Sequence, residues 1–531
     1  SPVTAEARGR RRAPLRYLAL SLLALLLAPA VARGVPASET PALRLYLAGS
    51  SAQDSLIEGL LRLRDDLPET PALCVRGSLD IYQGIVAGTR QRAYLCQTAD
   101  AVPGIPAGLT IAVFKSSGGS GDGVVPLLRQ EPMPFLSFEE LAGGCGASNR
   151  VLPTGDLSAF IQHVDCQTRT DRVVPDAGIS DLEPALFAED TAALRTRPLT
   201  QLVWGLPVSR NLRNALQALQ GLVPAELAHD DPRRETPAAM PSLSSAQVRS
   251  IFAGTLRSWS KVYDRDGVPI PASRYLPAEA PTHRERSGTR PGAYRPHAES
   301  GGRIYVCRRI ETSGTQLAYG AHYLSRGCLP DAPPFLAPDD GSSPVTGGDP
   351  RDLLDRSAPS GRVFAGRGSA DVRECLDTHD DHNRWAIGML STENTGNYLS
   401  LEFRHIRVDG YAPTLLNAHR GLWRHVSTAS LQWRRDREAG ERDRVDSVLA
   451  YLARYLAQPA VLRSLNRAFR HPWGDGGYLA AGSVSPSALP GVVSARSLQQ
   501  NPVAGVSYEH LGEPRNCLPP LISRGTSIEL R

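Results

Sequence analysis

The chain has 531 residues, with 59 Lys and Arg against 54 Asp and Glu and a formal charge of +5. Hydrophobic residues make up 41% and charged residues 21%, ordinary globular usage that excludes wholesale disorder, and the length suits two or three domains of about 100–200 residues each. Only Lys115 and Lys261 are lysines, and the arginines are interspersed with acids, so the charge does not mark a nucleic-acid surface.

The first elements explain most of that charge. Arg8, Arg10, Arg11, Arg12 and Arg16 precede an apolar run from Leu18 to Ala28, followed by Pro29-Ala30-Val31-Ala32. A basic segment, a short apolar core and an A-x-A site predict a secretory signal peptide over residues 1–32, the core being shorter than the about 20 residues that span a bilayer. No later stretch is apolar and long enough to span, so a soluble, exported mature chain is expected. Its cysteines, Cys74, Cys96, Cys145, Cys166, Cys307, Cys328, Cys375 and Cys517, contain no C-x-x-C pair and read as disulfides of an oxidising compartment. Local pairing predicts Cys74–Cys96, Cys145–Cys166 and Cys307–Cys328, leaving Cys375 and Cys517, although eight cysteines allow about 105 pairings.

Leu43 to Leu47 alternates like a strand and runs through Ala48-Gly49-Ser50-Ser51 into a helix with Leu56, Leu60, Leu61 and Leu63 on its apolar side. A second strand, Leu109 to Phe114, runs into the small-residue loop Lys115 to Gly121. A third, Gln201 to Leu206, precedes a helix through Leu212, Ala215 and Leu219. Ser244 caps a helix reaching toward Leu256, Gln247 completes a capping box, and Gly254 helps end it. Arg303 to Arg308 is a strand followed by Glu311-Thr312-Ser313-Gly314-Thr315 and a helix to about Ser325. Ala386 to Leu390 and Phe403 to Val408 are further strands, and the apolar spacing from Val445 to Leu465 predicts long C-terminal helices. This alternation implies an α/β class with largely parallel sheets. Residues 265–302 and 329–372, rich in Pro, Gly, Arg and Asp, read as surface insertions.

Three strand-to-helix junctions carry Ser, Gly or Thr: Gly49-Ser50-Ser51, Ser116 to Gly121, and Ser313-Gly314-Thr315. Helix N-termini offer unpaired N–H groups and partial positive charge to an anion, and glycine lets the backbone approach it. Arg309, four residues before Ser313, can add a bidentate donor. Asp377, His379, Asp380, Asp381 and His382 form a cluster of metal-ligand types that reads as a solvated polar loop. Ser116 and Ser313 lack the G-x-S-x-G setting of a hydrolase nucleophile.

Together these stretches resemble the phosphate-binding proteins of bacterial ABC importers, in the type II periplasmic binding-protein group. Ala48-Gly49-Ser50-Ser51 is similar to the first phosphate loop of that family, which points to Ser51. Lys115-Ser116-Ser117-Gly118-Gly119 is similar to its Gly-Ser-Ser-Gly-Gly loop and points to Ser116. Gly178-Ile179-Ser180-Asp181 resembles its Gly-Ala-Ser-Asp segment, and Arg309-Ile310-Glu311-Thr312-Ser313-Gly314-Thr315 its Arg-x-Asp-Gly-Ser-Gly-Thr loop. Ala52 replaces the usual aromatic and Thr312 a usual glycine, and residues 65–108 and 129–175 have no counterpart.

The resemblance implies a two-lobed α/β fold with a ligand cleft, residues 36–203 and 423–531 forming lobe 1 and residues 204–422 lobe 2. It implies phosphate binding by Ser51, Ser116, Asp181, Arg309, Ser313, Gly314 and Thr315, with no cofactor or metal, and delivery by a periplasmic monomer to an ABC permease. Such a protein is not an enzyme. A binding protein, sensor or scaffold of the same fold serving another anion is the alternative reading, and an extracellular phosphoester hydrolase the third. A carboxylate at Asp181 favours an anion that carries a proton, as hydrogen phosphate does and sulfate does not.

Overall fold

The computed structural model describes residues 40–62, 67, 70–75, 77–86, 89–99, 102–142, 150–151, 162–165, 170–187, 190–264, 266–269, 302–326, 331–337, 362–381, 384–436, 442–481, 493–505, 507–509, 521–524 and 527–529. The predicted signal segment, Cys145, Cys166, Cys328, Cys517 and His382 lie outside these residues.

The first lobe grows from β1 (Leu43–Ser50), whose Leu43, Leu45 and Leu47 are buried while Arg44 and Tyr46 are half-buried. Asp54–Leu61 forms α1, packing Leu56, Ile57, Leu60 and Leu61 inward. Asp80–Val86 (β2) and Thr89–Gln97 (β3) pair as an antiparallel hairpin, so part of the 65–108 insertion is sheet. Cys74 bonds to Cys96 as predicted, across a Cα separation of 5.6 Å. Thr110–Gly118 (β4) lies parallel to β1 from Leu43↔Ile111 to Ser50↔Gly118, and Ala177–Ser180 (β5) lies parallel on the other side of β1.

Leu194–Ser209 (β6) then crosses into the second lobe. That lobe contains α2 (Arg210–Leu219), α3 (Ser245–Phe252), β7 (Tyr305–Arg309), α4 (Gly314–Leu324), β8 (Val363–Gly366), α5 (Ser369–Asp381), β9 (Ala386–Gly388) and β10 (Phe403–Val408). The capping box of α3 is present: Gln247 N–H donates to Ser244 Oγ at 3.1 Å and Ser244 N–H to Gln247 Oε1 at 2.9 Å. The chain returns through β11 (Val426–Arg434) to α6 (Arg442–Tyr455), α7 (Pro459–Asn466) and β12 (Tyr478–Ala480), which complete the first lobe.

The strand order is β8-β7-β9-β6-β11-β5-β1-β4-β3-β2, extended by Gln162–Asp165 and Arg150–Val151, with β10 and β12 also on β6. The long strand β6 changes partners along its length. Its first part runs antiparallel to β11 as far as Val203↔Val426, and Leu206 to Ser209 run antiparallel to β10. At the handover the Trp204 indole donates to Ser427 Oγ at 2.7 Å, and Trp423 Nε1 donates to the Trp204 carbonyl at 2.8 Å. The described helices include none long and apolar enough to cross a membrane.

Four expectations need correcting. The sheet is mixed rather than largely parallel, because the β2–β3 hairpin and the returning strands β6 and β11 all pair antiparallel. Cys307 bonds to Cys375, not to Cys328, because α5 lies over β7 and brings the two Cα atoms to 6.0 Å. The 329–372 stretch is not all surface insertion, since its end supplies the buried strand β8 and the first turn of α5. Asp377 to Asp381 are helical, and His379 and Asp380 are fully buried.

Candidate functional site

Three parallel strands of the first lobe, β4, β1 and β5, end side by side, and so do β7 and β8 of the second. The carboxyl ends of such strands are where α/β sheets gather ligand groups. In the first lobe, Gly49 turns the chain at a φ of +109°, where an added Cβ would lie 2.1 Å from the Ile179 carbonyl oxygen. Only glycine permits that approach of β1 to β5, and it sets Ser50 and Ser51 at the lobe edge.

Asp181 follows β5 directly and is 2% exposed. Ser50 Oγ donates to its Oδ1 at 2.5 Å, Gln53 Nε2 to the same oxygen at 3.2 Å, and Ser120 Oγ to Oδ2 at 3.2 Å. Burial pushes this carboxyl upward, while those donors and the charge of Arg309 oppose the shift. Lys115 lies beneath the loop, fully buried, with Nζ donating to the carbonyls of Gly49 at 2.9 Å and Ser50 at 3.2 Å and standing 3.4 Å from Asp54 Oδ1. Burial lowers its ammonium pKa and Asp54 opposes the change.

In the second lobe Arg309 ends β7 at 1% exposure. Its Nε donates to the Gly366 carbonyl at 3.3 Å, one terminal nitrogen donates to Thr315 Oγ1 at 3.3 Å and Ser369 Oγ at 3.4 Å, and the other donates to the Arg367 carbonyl. Burial lowers the guanidinium to about 10, opposed by Asp371, Asp181 and Asp122, so it stays a cation at neutral pH. Ser313 precedes the first turn of α4 with no side-chain cap bond, and its buried Oγ has no hydrogen-bond partner among the described residues. The opening amides of α4 have no intrahelical carbonyl to bind.

The two sets of loops meet directly. A Cβ on Gly314 would lie 2.0 Å from Ser120 Oγ and 3.4 Å from Asp181 Cβ, and one on Gly119 would lie 2.6 Å from the Thr312 carbonyl oxygen. Ser369 N–H points to Ser51 Oγ at 3.4 Å. Of the residues singled out from sequence, Ser51, Asp181, Arg309, Ser313, Gly314 and Thr315 therefore stand at this junction.

Ser116 is placed differently. The ladder of β4 continues to Gly118 because β1 and β3 flank it on both sides, so Ser116 is a mid-sheet residue rather than a helix-start residue. Its hydroxyl accepts from Gln91 Nε2 at 3.0 Å. The serine of that run that reaches Asp181 is Ser120, in the 3₁₀ turn Ser120–Gly123.

In the first loop the sequence points to Ser51 although Ser50 is the serine bonded to Asp181, and Gln53 and Ser369 carry no expectation at all. The run Gly366-Arg367-Gly368-Ser369, ahead of the helical spacing Val372, Cys375 and Leu376, carries the same strand–loop–helix signal and would have disclosed Ser369. Near the crossing, Glu393 is 5% exposed and accepts from Ser391 Oγ and, at 2.9 Å, from Asn394 Nδ2. Burial raises its carboxyl to about 8 despite the Ser391 bond, and the charge of Asp181 adds to the rise.

This is a two-lobed α/β fold with polar loops facing one another between the lobes.

No protein-family model matches the sequence, and no curated protein matches it. Among solved structures, the chain is similar to a phosphate ABC transporter substrate-binding protein with bound phosphate from Clostridium perfringens, at 11% identity and a TM-score of 0.37 over 80% of this chain and 97% of that one. It is similar to an ABC-type phosphate transport receptor from Vibrio cholerae, at 12% identity and a TM-score of 0.34 over 80% and 98% of the chains. PstS from Borrelia burgdorferi matches at 8% identity and a TM-score of 0.30 over 80% and 96%.

Proposed function

We propose that this chain is a periplasmic solute-binding protein that captures inorganic phosphate between its lobes and delivers it to an ABC permease, acting as a monomer and breaking no bond. The lobes divide near Trp204 and Trp423. The observation that carries this reading is the meeting of one buried cation, Arg309, one buried carboxyl, Asp181, and the start of α4 across a single junction. Arg309 supplies the full positive charge. Ser313 Oγ, Thr315 Oγ1, Ser51 Oγ and the first amides of α4 supply further donors, which suit a tetrahedral oxyanion. Gly314 keeps the helix start free of a side chain at the point of closest approach.

Asp181 supports phosphate over sulfate. A carboxylate has about four acceptor positions, and Ser50, Gln53 and Ser120 engage three. A P–OH of hydrogen phosphate can donate to the remaining one, whereas sulfate brings only lone pairs and like charge to it. An unmet acceptor of this kind costs about 1–3 kcal/mol, or roughly tenfold to a hundredfold in affinity.

Calorimetry with phosphate, arsenate and sulfate tests the reading. Phosphate and arsenate are expected to bind and sulfate to bind at least about tenfold more weakly. In Asp181→Asn, whose amide can donate to sulfate, that gap is expected to close. Absence of phosphate binding by the wild-type chain would refute the proposal, and an unchanged preference in Asp181→Asn would refute the role given to Asp181.

A further inference from the structure

The β2–β3 hairpin, within the 65–108 stretch, brings two arginines to the edge of the anion site. Alternation along β3 puts Arg90, Arg92 and Tyr94 on one face of the sheet and Ala93 and Leu95 on the other. Arg90 lies opposite Ser117, and Ser117 opposite Gly49, so Arg90 stands where β1 and β4 finish and their loops begin. Arg92 has Nη1 3.3 Å from Oδ2 of Asp54, the first residue of α1. Ser117, the cross-strand neighbour of Arg90, has a buried Oγ with no partner among the described residues.

The second lobe answers with Arg373. Ser369, the first residue of α5, stands with its Oγ 3.5 Å from Ser51 Oγ and accepts from Arg309 at 3.4 Å. Arg373 is four residues further along α5, on the same face and about one 5.4 Å turn away. On the other side, Asp54 is three residues beyond Ser51 and holds Arg92. The two helix starts thus touch at Ser51 and Ser369, and one turn on each presents an arginine toward the other. Burial and then the charge of Arg90 lower the Arg373 pKa, and Arg92 acts in the same direction, as like charges held close do.

The acids around this group do not cancel it. Asp54 is shared between Lys115 and Arg92, and Glu58 accepts from Arg62 at 2.9 Å. Asp377, one turn beyond Arg373, accepts from the Glu402 N–H, and burial raises its carboxyl to about 7. Glu393 accepts from Ser391 and Asn394, and burial raises it to about 8. Among the described residues, no ion pair or side-chain hydrogen bond engages Arg90 or Arg373.

We infer that the interlobe cleft carries a second anion subsite, formed by Arg90 and Arg373 with Arg92 and Ser117 beside them. With the Arg309 junction read as a phosphate site, this subsite takes the second phosphoryl group of a condensed phosphate, inorganic diphosphate being the simplest. Guanidinium forks match phosphoryl oxygens bidentately, and one arginine from each lobe lets the ligand itself bridge the closing cleft. Ser51 and Ser369 stand between the two sets of cations, along the line such a ligand would follow.

Calorimetry in magnesium-free buffer, comparing diphosphate with orthophosphate, tests the subsite. Wild-type protein is expected to bind diphosphate at least about tenfold more tightly. Arg90→Gln and Arg373→Gln are each expected to bring that ratio within about threefold of one. Should Arg373→Gln fail to fold, Arg90→Gln, on the other lobe, decides. Wild-type affinity for orthophosphate equal to or above that for diphosphate overturns the subsite and leaves the phosphate reading standing. An undiminished ratio in the folded variants does the same. Binding of neither ion refutes the phosphate site and the subsite with it.

Discussion

The two lobes bring polar loops to the same junction but prepare them differently. On the first lobe the groups largely satisfy one another: Asp181 is met by Ser50, Gln53 and Ser120, and Lys115 is occupied by backbone carbonyls. On the second lobe, among the described residues, Arg309 is braced by carbonyls and hydroxyls with no carboxylate hydrogen-bonded to it, and Ser313 Oγ is buried without a partner. The first lobe is a prewired acceptor surface and the second holds unspent donor capacity. A carboxylate bonded directly to Arg309 would compete with an anion, whereas carbonyls fix the guanidinium without cancelling its charge.

The sharpest way to break this contrast is to remove the cation. Arg309→Ala is expected to weaken phosphate binding by at least about a hundredfold, since hydrogen bonds to charged groups contribute about 1.5–3 kcal/mol each and several are lost together. Titration calorimetry reads the loss, and retention of affinity within a few-fold would show that Arg309 does not hold the ligand. Gly314→Ala attacks the meeting of the lobes: its Cβ would stand 2.0 Å from Ser120 Oγ, so affinity should fall by roughly tenfold, with the second substitution Ser120→Ala recovering part of it.

Glu393 sharpens the comparison at the crossing. Its folded pKa of about 8 lies above the ordinary glutamate value of 4.5, so the folded chain holds a proton that the unfolded chain releases. That contribution to stability is fully present below the unfolded value and is lost as pH rises through about 8. Glu393→Gln is therefore expected to flatten the fall in stability between these limits, a difference on the order of a few kcal/mol in denaturant titrations. Equal pH slopes in the two proteins would remove Glu393 as its source. The smallest effect belongs to Ser116→Ala: with its hydroxyl committed to Gln91, phosphate affinity should change by no more than about threefold, whereas Ser120→Ala, which strips a donor from Asp181, should change it more.

Much of the frame was legible because it is local. The alternation of Leu43, Leu45 and Leu47, the Ser244–Gln247 box and the small residues ahead of α1 and α4 each carry their own signal within a few residues. The Cys74–Cys96 bridge belongs with them, since it closes beside the β2–β3 hairpin. Harder cases involve partners far along the chain. The extension of β4 through Ser116 depends on β1 and β3 flanking it, and the partner of Cys307 depends on α5 crossing over β7.

What the sequence by itself determined, then, was local: strands and helix starts, among them the Ser313-Gly314-Thr315 turn and Arg309 ahead of it, while Asp181 was marked only through the family resemblance. Which serine faces Asp181 and which cysteine pairs with Cys307 were decided only by the tertiary structure. The physical reason is distance along the chain. Strand alternation, capping and turn chemistry act over a few residues, whereas these pairings join segments whose meeting depends on how the whole sheet is ordered.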